Sequence, residues 1–193
     1  MLALPRQVSQ ALRFTPEQFA ALCAANPHSV LELSADGQLI EMTPTGGETG
    51  RRNNRLAFQM ERWARTTPDW CVFDSSTGFL LPDGSILSPD ASAIRLDRWQ
   101  SLSPEQRQGF PPLCPDLVVE LASPSDRLAD LQRKMAAYQA NGAQLGWLLL
   151  PASQEVEIWR VQEAPVRLQG ITTLDGGPLL PELQLDLSEL WEI

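Results

Sequence analysis

Residues 116–150 read DLVVELASPSDRLADLQRKMAAYQANGAQLGWLLL, and this stretch decides the fold. It begins and ends with strongly apolar segments, 116–122 and 145–150, that have the length and composition of strands. Between them, a helix is predicted over 124–141, because a Ser-Pro-Ser-Asp capping pattern opens it at 123 and Asn-Gly ends it. A strand, a helix and a strand in this order predict a right-handed crossover and a parallel strand pair inside a mixed sheet.

Signals on either side of this unit predict a single α/β (α+β) domain over 1–193 with a central mixed sheet flanked by helices. A Thr-Pro-Glu-Gln start and an Ala-Asp-Gly turn predict an N-terminal helix and β-hairpin within 15–45. The core is expected over 46–165 and includes a long helix that follows Gly46-Gly47. A strand and tail extension is expected over 166–193. Within the core, 86–94 is predicted as one strand and 99–115 as an irregular loop.

Composition excludes several classes of protein. Of 193 residues, 43% are hydrophobic, which is typical of a globular domain rather than a disordered chain. The formal net charge of −9 argues against a protein that coats phosphate backbones. The basic residues are fourteen arginines and one lysine, Lys134. Three widely spaced cysteines and a single histidine, His28, exclude a zinc ribbon and any mechanism that needs two histidines.

The sequence also lacks the motifs of membrane-spanning, secreted and nucleotide-binding proteins. No apolar run approaches the roughly 18–20 residues that cross a bilayer. Residues 1–10 lack the apolar core of a signal peptide, so a cytoplasmic location is predicted, in line with reduced cysteines. Neither a phosphate-binding P-loop motif nor a dinucleotide-binding glycine motif is present.

Glu120 is the first candidate for chemistry because it lies inside the apolar strand 116–122. An ionised carboxylate buried there costs several kcal/mol unless a cation or a hydrogen-bonded partner meets it. The candidate partners are Lys134 and Asp90, which lies at the start of, or inside, a predicted neighbouring strand that ends at Ile94. At about 100° per residue, Lys134 falls on the margin of the helix face that carries the apolar stripe, so it can reach the sheet. Two carboxylates and a lysine suit phosphodiester hydrolysis with Mg²⁺.

These residues resemble the Uma-two-type endonuclease family of the PD-(D/E)XK, or restriction-endonuclease-like, superfamily. The resemblance spans roughly 15–165 and is carried by Ser88-Pro89-Asp90, by Pro115-Asp116 to Glu120, by Ser123 to Asp126, and by Lys134, Tyr138 and Gly142.

The resemblance implies a restriction-endonuclease-like core and an endonuclease that hydrolyses DNA with Mg²⁺, for which Mn²⁺ can substitute. It implies that Asp90 and Glu120 bind the metal and that Glu48 is a further acidic member of the site. The superfamily usually has a lysine two residues after the glutamate, where this chain has Ala122. Lys134, on the next helix, would supply the amine instead.

Arginines cluster around the start of the long helix, although the chain as a whole is acidic. Arg51, Arg52 and Arg55, together with Arg127 in the later helix region, are candidate phosphate contacts, and a solvated helix face is the competing explanation. Because cutting both strands of a duplex needs two sites, a homodimer or higher homo-oligomer is expected.

Two other classes of function remain open at this stage. In the first, the chain is an inactive nuclease-fold adaptor that binds nucleic acid or protein, which its acidity and the displaced lysine favour. In the second, it is a structural protein in which Glu120 forms a buried ion pair with Arg127 or Lys134. An adaptor has no need to keep two acids and a lysine together, so their geometry separates an adaptor from an enzyme.

Overall fold

The computed structural model describes residues 12–42 and 44–192. The prediction that 1–10 contains no signal-peptide core concerns residues outside these ranges. The helices are α1 (Pro16–Ala25), α2 (Gly47–Thr66), α3 (Leu96–Gln100), α4 (Pro104–Gln108), α5 (Leu128–Ala140) and α6 (Ser188–Trp191). The strands are β1 (Val30–Leu33), β2 (Leu39–Met42), β3 (Trp70–Asp74), β4 (Phe79–Leu80), β5 (Ile86–Leu87), β6 (Ala91–Arg95), β7 (Leu117–Leu121), β8 (Leu145–Leu150), β9 (Glu155–Arg160), β10 (Val166–Gln169), β11 (Thr173–Asp175) and β12 (Gln184–Asp186).

A mixed six-stranded sheet forms the centre of the molecule, with strand order β10-β9-β8-β7-β6-β3. β7 and β8 pair in parallel, as the strand–helix–strand pattern predicts, and the other neighbours in this sheet are antiparallel. All residues of β7 and β8 are buried, because helices or other segments cover both faces of these central strands. The predicted mixed sheet flanked by helices is confirmed.

The two faces of the sheet have separate apolar cores. On one face, Leu56, Met60 and Trp63 of α2 pack with Val119 and with the C-terminal segment, residues 174–192. On the other face, Met135 and Tyr138 of α5 pack with Val118 and Leu148, among others. Side chains in a strand alternate between faces, so Glu120, two residues after Val118, lies on the α5 face. Its carboxylate is therefore placed between the sheet and α5.

A second, four-stranded sheet with order β2-β1-β5-β4 contains the N-terminal hairpin. The predicted start of α1 is confirmed, since Thr15 caps the helix with its side chain and Gln18 completes a capping box. Phe19, Leu33 and Ile86 form a small apolar cluster beneath the hairpin. β1 pairs with β5 through one residue pair, Leu33 opposite Ile86, so few backbone hydrogen bonds join the hairpin to the rest of this sheet.

Three local predictions are wrong. The helix predicted from 124 begins at Leu128 instead. Residues 123–126 form a separate turn, in which the Asp126 N–H donates to the Ser123 carbonyl and the Ser123 hydroxyl pairs with that of Ser125 instead of capping a helix. The segment 86–94 is divided between β5 and β6, in different sheets, since Pro89 has no N–H with which to continue a ladder. The 99–115 loop includes α4, whose cap is Ser103.

The C-terminal segment packs along α2. The Trp63 indole N–H donates to the Pro181 carbonyl at 2.9 Å, and the Gln59 side chain donates to the Asp186 carbonyl and accepts from its N–H. These contacts cover part of the α2 surface that the central sheet leaves open. Within residues 12–42 and 44–192, no helix is long and apolar enough to cross a membrane.

Candidate active site

Asp90 and Glu120 are neighbours across two adjacent strands. In the antiparallel pairing of β6 with β7, Ala91 lies opposite Val119, so the next pair in this register is Asp90 opposite Glu120. Side chains in such positions share one face of the sheet and have Cβ atoms about 4.5–5.5 Å apart. The Leu121 backbone N–H donates to Asp90 Oδ2 at 2.7 Å. This bond holds the Asp90 carboxylate against the strand that carries Glu120.

Lys134 meets this pair from α5. Its Nζ lies 2.8 Å from Glu120 Oε1 and 2.8 Å from Glu32 Oε1, and it donates to the Ser88 carbonyl at 3.0 Å. An ammonium group has three N–H donors, so these three acceptors use all of them. The side chain is 14% exposed, and Lys134 therefore faces inward, as its position on the helix predicts. Ala122, at the position where the superfamily has its lysine, carries no amine.

Glu32, which was not predicted from the sequence, joins Asp90, Glu120 and Lys134 in one cluster. The residue lies in β1, is 2% exposed, and accepts the Ser88 backbone N–H at 2.7 Å through Oε1. A signal was present, because an acid between Leu31 and Leu33 raises the same question of burial as Glu120 does. Alternation in a short hairpin strand assigns that acid to the solvent face, and only the tertiary structure shows that this face is covered.

Two uncharged side chains complete the cluster. The Tyr138 hydroxyl, fully buried, donates to Glu120 Oε1 at 3.1 Å, so Oε1 accepts from both Tyr138 and Lys134. The Asn53 side-chain amide of α2 donates to Asp90 Oδ1 at 3.2 Å. The Asn53 Oδ1 atom is buried and has no hydrogen-bond partner among the described residues. An acceptor oxygen beside Asp90 is thus left unsatisfied.

The cluster carries more negative charge than its own cation neutralises. Burial, partly offset by Lys134, raises the pKa of Glu120 from 4.5 to about 8. Burial also raises the pKa of Asp90, while the Leu121 N–H and Lys134 oppose that shift. Burial disfavours the charged form of Lys134, but Glu120 and Glu32 together raise its pKa above the ordinary value. Three carboxylates face one ammonium, so bound protons or an added cation must supply the missing positive charge.

The donor set fits a hard divalent cation. Carboxylate and amide oxygens are the ligands that Mg²⁺ takes, and the ion keeps several of its waters. Asp90 and Glu120 supply carboxylates, Asn53 supplies an unsatisfied oxygen, and the excess negative charge favours a cation. Over the described part of the chain, no group of three or more His, Cys, Asp or Glu side chains has a geometry that could hold a metal ion. Any ion here would therefore depend on two carboxylates, the Asn53 oxygen and water.

Two of the predicted phosphate contacts are bound to the C-terminal segment instead. Arg52 is 9% exposed, and its Nε donates to the Leu190 carbonyl at 2.8 Å. Arg55 donates to the backbone carbonyls of Glu189 and Glu192. Both guanidinium groups are turned towards the C-terminal segment by the packing of α6 on α2.

The structure does not bring Glu48 into the cluster. Its side chain is 60% exposed and forms an ion pair with Arg52 at 3.9 Å. Among the described residues, it makes no hydrogen bond or ion pair with Asp90 or with Lys134. Arg51 is exposed on α2, and Arg127, at the N-cap of α5, is 83% exposed. Neither guanidinium is buried, and that of Arg127 lies 3.8 Å from the Asp130 carboxylate.

Residues 16–188 match the model of a family described as "Uma2: Putative restriction endonuclease". The chain belongs to this Uma2 family. The fold is similar to that of a solved structure from Anabaena variabilis, described as "a putative nuclease belonging to DUF820", with a TM-score of 0.75 and 20% sequence identity. That match covers 92% of this chain and 97% of the other. No curated protein matches the chain. The resemblance to the Uma2 family and the nuclease-like fold are thus confirmed.

Proposed function

We propose that this protein is a Mg²⁺-dependent endonuclease that hydrolyses DNA phosphodiester bonds, with Asp90 and Glu120 as metal ligands and Lys134 as a catalytic residue. The observation that carries the proposal is the register of β6 and β7, which sets the two carboxylates side by side, with Lys134 bound to that of Glu120. Membership of the Uma2 family supports a nuclease function. A bound divalent ion would lower the pKa of a water molecule and offset charge on the scissile phosphate.

The remaining residues of the site have definable tasks. Lys134 and Tyr138 bind the same oxygen of Glu120, so they fix the orientation of the carboxylate and leave Oε2 for another ligand. The Leu121 N–H and Asn53 hold the two oxygens of Asp90. Preorganised groups of this kind lower the cost of arranging charge during reaction.

Substrate contacts would come from the exposed surface beside the cluster. Arg51 and Arg127 are the candidates, since neither guanidinium is buried and arginine binds phosphate oxygens in a bidentate manner. Cleavage of both strands would require two copies of the site, and therefore a homodimer or higher homo-oligomer. The three cysteines are free thiols, which suits a protein that works on DNA in the cytoplasm.

Cleavage of a supercoiled plasmid, with Mg²⁺ or Mn²⁺ and with EDTA, tests the proposal. We expect wild-type protein to cut with either metal, and Asp90→Asn and Glu120→Gln to lose about 100-fold or more, since loss of even an outer partner of a metal ligand costs about 10- to 100-fold. Glu61→Gln is the matched control, because Glu61 is exposed on α2 and pairs only with Arg65 among the described residues. It should cut like the wild type.

Two outcomes would overturn the proposal. Equal residual cutting by wild type, Asp90→Asn and Glu120→Gln would assign the activity to a contaminant. Absence of cutting by folded wild-type protein that still binds DNA would favour the adaptor, which the acidic composition of the chain also favours.

A further inference from the structure

We propose that Glu32 is the positioning residue of this site, holding both Lys134 and the segment that carries Asp90. The inference rests on the proposed function for its catalytic consequence, although the arrangement itself can be tested without substrate. It assigns the N-terminal hairpin a part in a site whose other residues lie on the central sheet, α2 and α5.

The contacts around Glu32 form a closed ring. Glu32 Oε1 accepts the Ser88 N–H at 2.7 Å and lies 2.8 Å from Lys134 Nζ. Lys134 in turn donates to the Ser88 carbonyl at 3.0 Å. Three segments far apart in the chain, β1, the β5–β6 connection and α5, are therefore joined through one carboxylate oxygen.

The ring acts on both metal-ligand candidates. Ser88 is two residues before Asp90, so fixing both backbone groups of Ser88 fixes the point from which the chain enters β6 through Asp90. Lys134 can bind Glu120 in this orientation only while its other N–H groups have acceptors, and Glu32 supplies one of them. Without Glu32, the Lys134 ammonium would have one N–H without an acceptor. Among the described residues, Glu120 would then be the one carboxylate bound to it, and nothing on β1 would hold it in place.

The hairpin has few other means of holding its place. β1 pairs with β5 through Leu33 and Ile86 alone, and the apolar cluster below it is small. A buried carboxylate is costly unless paired, so Glu32 stays inside only while Lys134 and Ser88 are in position. The location of the hairpin and the geometry of the site are consequently linked.

Lys134 provides a direct readout because it is the only lysine in the chain. The protein is labelled with ¹⁵N-lysine, purified through a tag that contains no lysine, and kept free of metal. The Lys134 side chain then gives a single ammonium signal. Ammonium protons are observed near neutral pH only when hydrogen bonds and burial slow their exchange with water. We expect a resolved signal from wild type, its loss in Glu32→Gln, and partial recovery in Glu32→Asp, which keeps the charge.

Glu41→Gln is the matched control, since Glu41 lies on the same hairpin, is exposed, and pairs with Leu31 on the strand that carries Glu32. It should leave the Lys134 signal unchanged. Wild-type exchange behaviour in Glu32→Gln would overturn the proposal. If Glu32→Gln does not fold, the Glu32→Asp spectrum decides, and a spectrum without any change in the Lys134 signal would count against the proposal.

The catalytic consequence is measured by steady-state cleavage. We expect Glu32→Gln to lower kcat by about 10- to 100-fold, as for an outer partner of a ligand, with the KM for DNA unchanged. Glu32→Asp should recover part of kcat. An equal effect on kcat and KM, or no effect, would refute a positioning role. If wild type cuts no DNA, the proposed function fails, whereas the lysine spectra still decide whether Glu32 positions Lys134.

Discussion

Glu120→Gln should stabilise the fold at neutral pH while abolishing the proposed activity. Glu120 is 3% exposed, and burial raises its pKa from 4.5 to about 8. Glutamine has nearly the same shape, can accept from Lys134 and Tyr138 through its oxygen, and carries no charge to desolvate. The substitution therefore removes the cost of the carboxylate and retains most of its packing.

The magnitude follows from proton linkage. A carboxyl group with a raised pKa binds more protons in the folded than in the unfolded chain, so its contribution to stability falls as pH rises from 4.5 to about 8. Within this range, each pH unit changes the free energy of unfolding by about 1.4 kcal/mol. The free energy of unfolding of the variant should equal that of the wild type near pH 4.5 and exceed it by about 3 kcal/mol at pH 7. For a chain of this size, that difference raises the Tm by about 6–12 °C.

Urea unfolding in EDTA at pH 5, 6, 7 and 8 measures this difference. Glu61→Gln serves as the control, because the Glu61 side chain is 52% exposed and its substitution should give a difference that does not change with pH. A Glu120→Gln variant that is less stable than wild type at pH 7 would refute the reasoning. A stability difference that stays constant over the whole pH range would refute it as well.

Two further predictions concern ligand binding and backbone packing. Mg²⁺ at about 100 times its Kd should raise the free energy of unfolding of the wild type by about 2.7 kcal/mol at pH 8. It should leave that of Asp90→Asn unchanged. Equal shifts of the two proteins in a thermal unfolding assay would mean that Asp90 does not bind the ion. Gly176→Ala should lower stability by about 1–3 kcal/mol, because a Cβ there would lie 2.6 Å from the Leu180 carbonyl oxygen. Gly47→Ala, at the first residue of α2 and with open space around its Cβ position, should not lower the Tm, and similar Tm values for the two alanine variants would contradict this reasoning.

The parts of the site that could be predicted are those encoded by local patterns. An acid in an apolar strand must have a partner, and helix periodicity turns Lys134 towards that strand; the ion pair between Lys134 and Glu120 follows both rules. The parallel pair β7–β8 follows from the order of strand, helix and strand. These inferences need only burial, period and connectivity.

The parts that could not be predicted depend on long-range pairing. Glu32 is covered because β1 joins a second sheet through β5, and nothing near residue 32 in the sequence encodes that contact. Arg52 and Arg55 look like a basic helix face, yet the C-terminal segment, more than 130 residues later, accepts their hydrogen bonds. Local charge patterns show what a side chain can bind, and the tertiary structure decides which partner it meets.

The ring that joins Glu32 to Lys134 also has a consequence for synthesis of the chain. The ribosome makes Glu32 roughly one hundred residues before Lys134, a delay of about 5–20 s at ordinary elongation rates. During that interval the hairpin cannot bury its carboxylate without losing several kcal/mol. The hairpin should therefore dock only after α5 has left the ribosome, and an incomplete nascent chain would not yet carry an assembled site.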